Sequence, residues 1–137
     1  MAVVEELLRS EADGAISFGN HKLAHKAKVE DFKHAGDLLK VKTYNEITKL
    51  EKNGMFLYES VPGTSVLHFA EEESGVSFVV EGDEDAQITI GLLEDTEYEV
   101  FVGENSIGTM NTGLSGKLSL SVELENVGEV AVKVQRV

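Results

Sequence analysis

The chain of 137 residues carries 12 basic and 25 acidic side chains, a net charge of −13, and contains no cysteine. Its length fits one domain, and its charge disfavours nucleic acids and anionic membrane surfaces, both of which attract basic proteins. The missing cysteine excludes disulfide scaffolds, thiolate zinc sites and thiol catalysis. The start of the chain lacks the basic and apolar stretches of a secretory signal, so we expect a cytoplasmic protein.

The first predicted element is a short helix in an N-terminal extension, residues 1–14, ahead of a single domain over residues 15–137. Apolar residues recur there at helical spacing, and Gly14 is a suitable stop. A helix of this length is marginal alone and needs a surface on which to dock. Its apolar face is therefore a candidate interface with a protein partner or a second copy, formed by Val3, Val4, Leu7 and Leu8.

A hairpin is the favoured interpretation of the middle of the chain. Asn53-Gly54 is a strong signal for a type I′ turn, which would join a strand over residues 46–52 to one over 55–61. The alternative is a helix that starts at a capping box beginning with Thr43. We favour the hairpin because its second strand is apolar. Pro62-Gly63 then predicts a further turn.

From Gly75 onward, apolar and polar residues alternate with a period of two, which is typical of strands with one buried and one exposed face. Turn residues separate these segments at intervals of about ten residues. The pattern predicts an antiparallel β-sandwich with strands at Val76–Val80, Gln87–Leu92, Glu97–Val102, Lys117–Leu124 and Glu129–Val134.

Four segments near the C-terminus share this alternation: Tyr98-Glu-Val-Phe-Val-Gly, Ser106-Ile-Gly-Thr-Met, Gly116-Lys-Leu-Ser-Leu-Ser-Val-Glu-Leu and Val130-Ala-Val-Lys-Val. Their order resembles the closing strands of immunoglobulin-like or fibronectin-like sandwich modules that accompany bacterial carbohydrate-active enzymes. The resemblance implies an immunoglobulin-like sandwich for the C-terminal half. It carries over no binding or catalytic residue.

Arg9 and Arg136 are the only arginines of the chain and stand near opposite termini. The chain as a whole resembles a group of short bacterial proteins labelled endosialidase-like. Sialidases hold the substrate carboxylate with three arginines, whose guanidinium groups suit that task. With two arginines, this chain cannot supply such a triad, so the resemblance does not extend to sialidase activity.

Acidic residues are concentrated in the second half of the chain. Residues 1–54 hold nine basic and nine acidic side chains, whereas residues 55–137 hold three basic and sixteen acidic ones. Such runs, for example Glu71–Glu73, are usually solvated turns and strand faces. The alternative is a calcium site built from hard oxygen ligands in a loop, and its candidate ligands are Glu81, Asp83 and Asp85.

Tyr44 and Tyr58 are the candidate ligand-binding aromatic residues. Glycan-binding surfaces stack sugars on flat rings, and the chain has no tryptophan and three tyrosines. Tyr98 falls on the inward side of its predicted strand, which leaves the other two. Packing in the core is nevertheless the favoured role for both rings.

Histidines support an alternative, enzymatic hypothesis. His25, His34 or His68 with nearby acids would serve a small hydrolase or a metal-dependent enzyme. The segment 21–34 fits either a helix or a strand, and only a helix would bring His21 and His25 to metal-ligand spacing. Neither a nucleophile elbow nor a nucleotide-binding glycine loop occurs in the sequence.

The sequence therefore favours an all-β protein, an antiparallel β-sandwich with a short N-terminal helix, that acts as a non-enzymatic binding or scaffolding module. A protein partner or self-association is the favoured mode, and no cofactor, nucleic acid or membrane is expected. The alternatives are a carbohydrate-binding accessory module and a small hydrolase or metal-dependent enzyme.

Overall fold

The computed structural model describes residues 3–137, and these residues form an all-β protein without a helix. The strands are, in chain order, β1 (Leu8–Ser10), β2 (Ile16–Phe18), β3 (Ala27–His34), β4 (Asp37–Thr43), β5 (Thr48–Lys52), β6 (Met55–Val61), β7 (Ser65–Glu72), β8 (Gly75–Glu81), β9 (Ala86–Gly91), β10 (Glu97–Val102), β11 (Asn105–Asn111), β12 (Lys117–Val122) and β13 (Val130–Arg136). No helix in the described residues is long and apolar enough to cross a membrane.

Two antiparallel sheets enclose one hydrophobic core. Sheet 1 has seven strands in the order β1-β2-β7-β8-β13-β10-β11, and sheet 2 has six in the order β12-β9-β6-β5-β4-β3. The predicted all-β, antiparallel architecture is confirmed, and two sheets around a shared core are consistent with a β-sandwich.

In β8, β9 and β12, alternation directs every second side chain into the core, as predicted. In β12, Leu118, Leu120 and Val122 are buried, while the residues between them are exposed. The centre of the core is a cluster of four aromatic rings contributed by both sheets: Phe18, Tyr58, Phe69 and Phe78.

The predicted N-terminal helix is wrong. The chain turns after Val4, and Leu7 has a φ of +71°, which no right-handed helix adopts. Leu8 then begins β1, the edge strand of sheet 1, and pairs with Phe18 of β2. Residues 8–10 are therefore part of the sandwich. The apolar residues have helical spacing, but the backbone of this segment forms its hydrogen bonds with β2 in an extended conformation, and the same residues are buried or half-buried in that form. Residues 1 and 2 lie outside the described residues.

The interface predicted on this segment needs the same correction. Val4 and Leu8 are 0% and 2% exposed, so both belong to the core of the chain itself. Val3 and Leu7 are half-buried. The apolar spacing that suggested a docking face for a partner is thus explained by packing within the sandwich.

The favoured hairpin is confirmed. Asn53 and Gly54 have φ values of +52° and +79°, as a type I′ turn requires, and they connect β5 to β6. The ambiguous segment 21–34 resolves into an irregular turn followed by β3. His21 and His25 therefore do not share a helix face.

Candidate functional site

An open cleft of about 380 Å³ lies between the two sheets, beside the β7–β8 turn. Its walls come from strands that are distant in sequence. The floor consists of apolar side chains at the edge of the core: Leu57, Phe69, Val76, Ile90 and Tyr98. The one polar side-chain atom among them, the Tyr98 hydroxyl oxygen, accepts a hydrogen bond from the backbone N–H of Leu93 at 3.3 Å.

Two β-bulges shape the walls of this cleft. In β6, Tyr58 pairs with Leu50 but Phe56 pairs with Glu51, so the extra residue Leu57 is buried together with its neighbour Tyr58. In β7, the register shifts between Leu67 and Ala70. Bulges bend a strand and redirect side chains, and they are common beside functional sites. Here they place Leu57 and Phe69 on the cleft floor.

Three consecutive glutamates, Glu71–Glu73, form the rim of the cleft. The ammonium group of Lys52, at the end of β5 in sheet 2, donates a hydrogen bond to Glu71 at 2.9 Å and so links the two sheets. Glu72 and Glu73 are exposed, and no basic group of residues 3–137 lies within 4.0 Å of either carboxylate. We call this site the acidic cleft.

A shallower groove of about 330 Å³ continues from the acidic cleft and shares Leu57, Gly91 and Leu92 with it. Within the groove, the Lys117 ammonium lies 4.5 Å from the centre of the Phe56 ring, in cation–π contact. The groove extends the apolar surface of the cleft along the same end of the molecule, which gives room for more than a single side chain.

The predicted ligand-binding tyrosines lie elsewhere. Tyr58 is 0% exposed at the centre of the aromatic cluster, and burial raises the pKa of its phenol well above the ordinary value. The ring packs in the core, which is the role that the sequence favours, and a ligand cannot reach it. Tyr44 is half-buried, with the Lys26 ammonium 6.0 Å from its ring centre. The two tyrosines do not form a joint platform.

The candidate calcium ligands serve separate local contacts. Asp83 pairs with the Lys22 ammonium at 2.5 Å, and this bond lowers the pKa of the Asp83 carboxyl. Asp85 accepts the backbone N–H groups of Leu124 and Glu125 at 2.9 and 3.1 Å. Glu81 is half-buried. Across residues 3–137, no three histidine, aspartate or glutamate side chains come together as ligands for a metal ion.

The three histidines of the enzymatic hypothesis do not converge on a cleft. His34 uses both ring nitrogens, Nδ1 at 2.7 Å from Ser10 Oγ and Nε2 at 2.9 Å from the Gly14 carbonyl. His68 is exposed, with Nδ1 3.6 Å from Asp13. His25 is exposed in the irregular turn before β3. None of the three lines the acidic cleft.

A fourth histidine, His21, lies in an arrangement that superficially resembles a catalytic triad. Its Nδ1 is 2.7 Å from Ser65 Oγ, and its Nε2 is 3.6 Å from Asp83. Ser65 is completely buried, so no substrate can reach the hydroxyl. Ser65 also accepts the His21 backbone N–H, and the group is therefore a buried polar contact that anchors the turn after β2.

We expect the buried His21 to make the free energy of unfolding decrease as the pH falls. Burial lowers its pKa below the ordinary 6.5, although Asp83 acts in the opposite direction. As the pH falls through 6.5, the unfolded chain binds the proton first, so the free energy of unfolding falls by up to about 1.4 kcal/mol per pH unit. Urea denaturation at several pH values between about 7.5 and about 5, a range that spans the ordinary histidine pKa, measures this decline in the free energy of unfolding. His21→Asn should show a smaller decline, and an unchanged decline would contradict the assignment.

No known protein family, curated protein or solved structure matches this chain. The resemblances to immunoglobulin-like modules and to endosialidase-like proteins therefore stay predictions.

The acidic cleft combines an apolar floor with carboxylates at its mouth. Such a site suits a ligand with an alkyl chain that ends in a cation, because the chain leaves water while the cation stays at the rim. The acidic run Glu71–Glu73 is visible in the sequence, but only as a solvated turn. The floor was not predictable, since it depends on two bulges that alternation does not indicate.

Proposed function

We propose that this chain is a non-enzymatic binding module, and that the acidic cleft takes a lysine-bearing or arginine-bearing segment of a protein partner. The observation that carries the proposal is a pair of exposed carboxylates, Glu72 and Glu73, that form no ion pair with any basic group of residues 3–137 and that lie at the mouth of a cleft with an apolar floor. The volume of about 380 Å³ falls in the range of small-ligand sites, which start near 300 Å³.

Lys52 supports this choice of ligand. Its ammonium bonds Glu71 at the same rim, so the chain already places one lysine head on one of the three carboxylates. A lysine of a partner would bury its four-carbon stem against the floor and place its ammonium on Glu72 or Glu73. The acidic second half of the chain would also steer basic partners towards the site.

The lining of the cleft favours binding over catalysis. Its titratable groups are the three glutamates and Tyr98, and the histidines of the enzymatic hypothesis lie elsewhere. A carbohydrate ligand has less support than a basic one, because the described residues offer no pair of exposed aromatic rings at the cleft.

Binding of a lysine–leucine hexapeptide, measured by calorimetry, tests the proposal. We expect Glu72→Gln/Glu73→Gln to weaken binding about fivefold, since each exposed ion pair contributes about 0.5 kcal/mol. Acetylation of the peptide lysines should weaken it at least as much, because the ammonium charge is lost.

The matched control is Glu123→Gln/Glu125→Gln, which removes two exposed carboxylates that do not line the acidic cleft. Affinity for the peptide should stay close to that of the parent chain. If both double variants lose the same affinity, attraction by the overall negative charge explains the binding, and the acidic cleft is not the site.

A further inference from the structure

A row of three lysines crosses the outer face of sheet 2. Lys28 of β3 pairs in register with Lys42 of β4, and Lys42 pairs with Lys49 of β5. Side chains directly opposite one another on antiparallel strands lie about 5 Å apart at their Cβ atoms, and like charges in this position destabilise the sheet. The row therefore opposes folding unless anions neutralise it.

Glu59 of β6 stands opposite Lys49 in the ladder, but two of these lysines form no ion pair within the part of the chain that the structure describes. Lys28 pairs with Glu30 at 3.1 Å, whereas no carboxylate of residues 3–137 lies within 4.0 Å of the Lys42 or Lys49 ammonium. A depression of about 220 Å³ lies between them, lined by Lys40, Lys42, Lys49 and Glu51. We call it the lysine depression.

The same molecule carries the complementary group, the two rim carboxylates of the acidic cleft that form no ion pair with the described part of the chain. The position of Lys49 excludes contact between its ammonium and the rim carboxylates of the same chain. The ammonium of Lys52 reaches the rim. Lys49 lies three residues earlier in β5, which is about 10 Å along the strand at a rise of about 3.3 Å per residue. The two lysines are three positions apart, so Lys49 points to the outer face while Lys52 points to the core side.

We propose that the basic partner of the acidic cleft is a second copy of this chain, which presents Lys42 and Lys49 to Glu72 and Glu73. This inference rests on the proposed function and names its partner. The two surfaces differ, so the contact is heterologous and leaves a free donor and a free acceptor surface at the ends of each assembly. Further copies can therefore add in a row.

The net charge of −13 opposes association at long range. At an ionic strength of about 0.15 M, charges more than about 8 Å apart are largely screened, while the apposed ammonium and carboxylate groups are within contact distance. We therefore expect weak, concentration-dependent association that becomes visible at concentrations approaching roughly 1 mM.

Charge reversal tests the contact from both sides by sedimentation velocity. The variant Lys42→Glu/Lys49→Glu and the variant Glu72→Lys/Glu73→Lys should each stay monomeric, because each brings like charges together. An equal mixture of the two should associate again, since each variant then meets the opposite charge on the other. A chain with all four substitutions should also self-associate.

Two control variants change the net charge by the same amounts at other exposed positions: Lys33→Glu/Lys133→Glu and Glu123→Lys/Glu125→Lys. They should associate as the parent chain does. A parent chain that is monomeric at roughly 1 mM, or a mixture that fails to associate, overturns the second-copy proposal. Peptide binding at the acidic cleft would be unaffected by that outcome, so the failure of the two proposals can be told apart.

Discussion

We expect Tyr58→Ala to lower the free energy of unfolding by about 3–5 kcal/mol, as for other large aromatic residues removed from a core. Tyr58 is completely buried and contacts Phe18, Phe69 and Phe78 at ring-centre distances of 5.2, 6.1 and 5.7 Å. Alanine would leave a cavity among these rings. The strands on either side belong to paired sheets and cannot collapse far into the space.

Tyr58→Phe is the matched control, because it keeps the ring and removes the hydroxyl. That hydroxyl lies 2.8 Å from Thr64 Oγ1, which also lies 2.7 Å from Ser60 Oγ. Since Thr64 keeps one partner, we expect a loss of about 1 kcal/mol. Urea denaturation of both variants measures the difference. A loss in Tyr58→Ala no larger than that in Tyr58→Phe would contradict the completely buried position of the ring.

The second large effect is expected for Gly63→Ala, with a loss of about 3 kcal/mol. A Cβ at this position would collide with the backbone carbonyl oxygen of Tyr44, and backbone atoms cannot move aside as a side chain can. The close approach also carries a hydrogen bond, from the Gly63 N–H to the Asn45 carbonyl at 3.0 Å. The substitution would separate the two loops and break this bond.

Gly82→Ala provides a comparison in the same part of the molecule. A Cβ there would meet side-chain atoms, the nearest being Leu124 Cδ1 at 3.2 Å, which can shift by a small rotation. We expect a clearly smaller loss of stability than for Gly63→Ala in thermal or urea denaturation. Equal losses of stability for the two variants would contradict the expectation that a clash with backbone atoms destabilises more than a contact with a movable side chain.

Alternation predicted five strands of the C-terminal half, β8, β9, β10, β12 and β13, because one face of each is buried and the other is solvated. It did not predict β11, whose residues are almost all exposed. In β12 the exposed and buried residues alternate without interruption, from Lys117 to Val122. The Asn53-Gly54 turn was equally predictable, since few residue pairs adopt positive φ at two adjacent positions. Both signals are local, and they agree with the tertiary structure.

The N-terminal segment shows why local signals can fail. The spacing of Val4, Leu7 and Leu8 fits a helix, but Val4 and Leu8 are buried through extended-chain pairing with residues 18 and 19. The choice between helix and strand depended on a partner strand that the local pattern does not contain. Tertiary pairing overrode a weak helical preference.

The acidic cleft was only partly predictable for a similar reason. Its rim is the acidic run Glu71–Glu73, but its floor brings together Leu57, Val76 and Ile90 from three strands. The bulge at Leu57 reverses the expected alternation in β6, so Leu57 and Tyr58 are both buried. A strict period of two cannot indicate such a residue.

Backbone amide chemical shifts during titration with the lysine–leucine hexapeptide show where the peptide binds, and so test whether the acidic cleft is the binding site. We expect the largest shifts at the rim and floor of the acidic cleft, notably Glu72, Glu73 and Val76, with Glu123 and Glu125 unchanged. Shifts spread evenly over the acidic residues, or confined to another surface, would contradict this expectation.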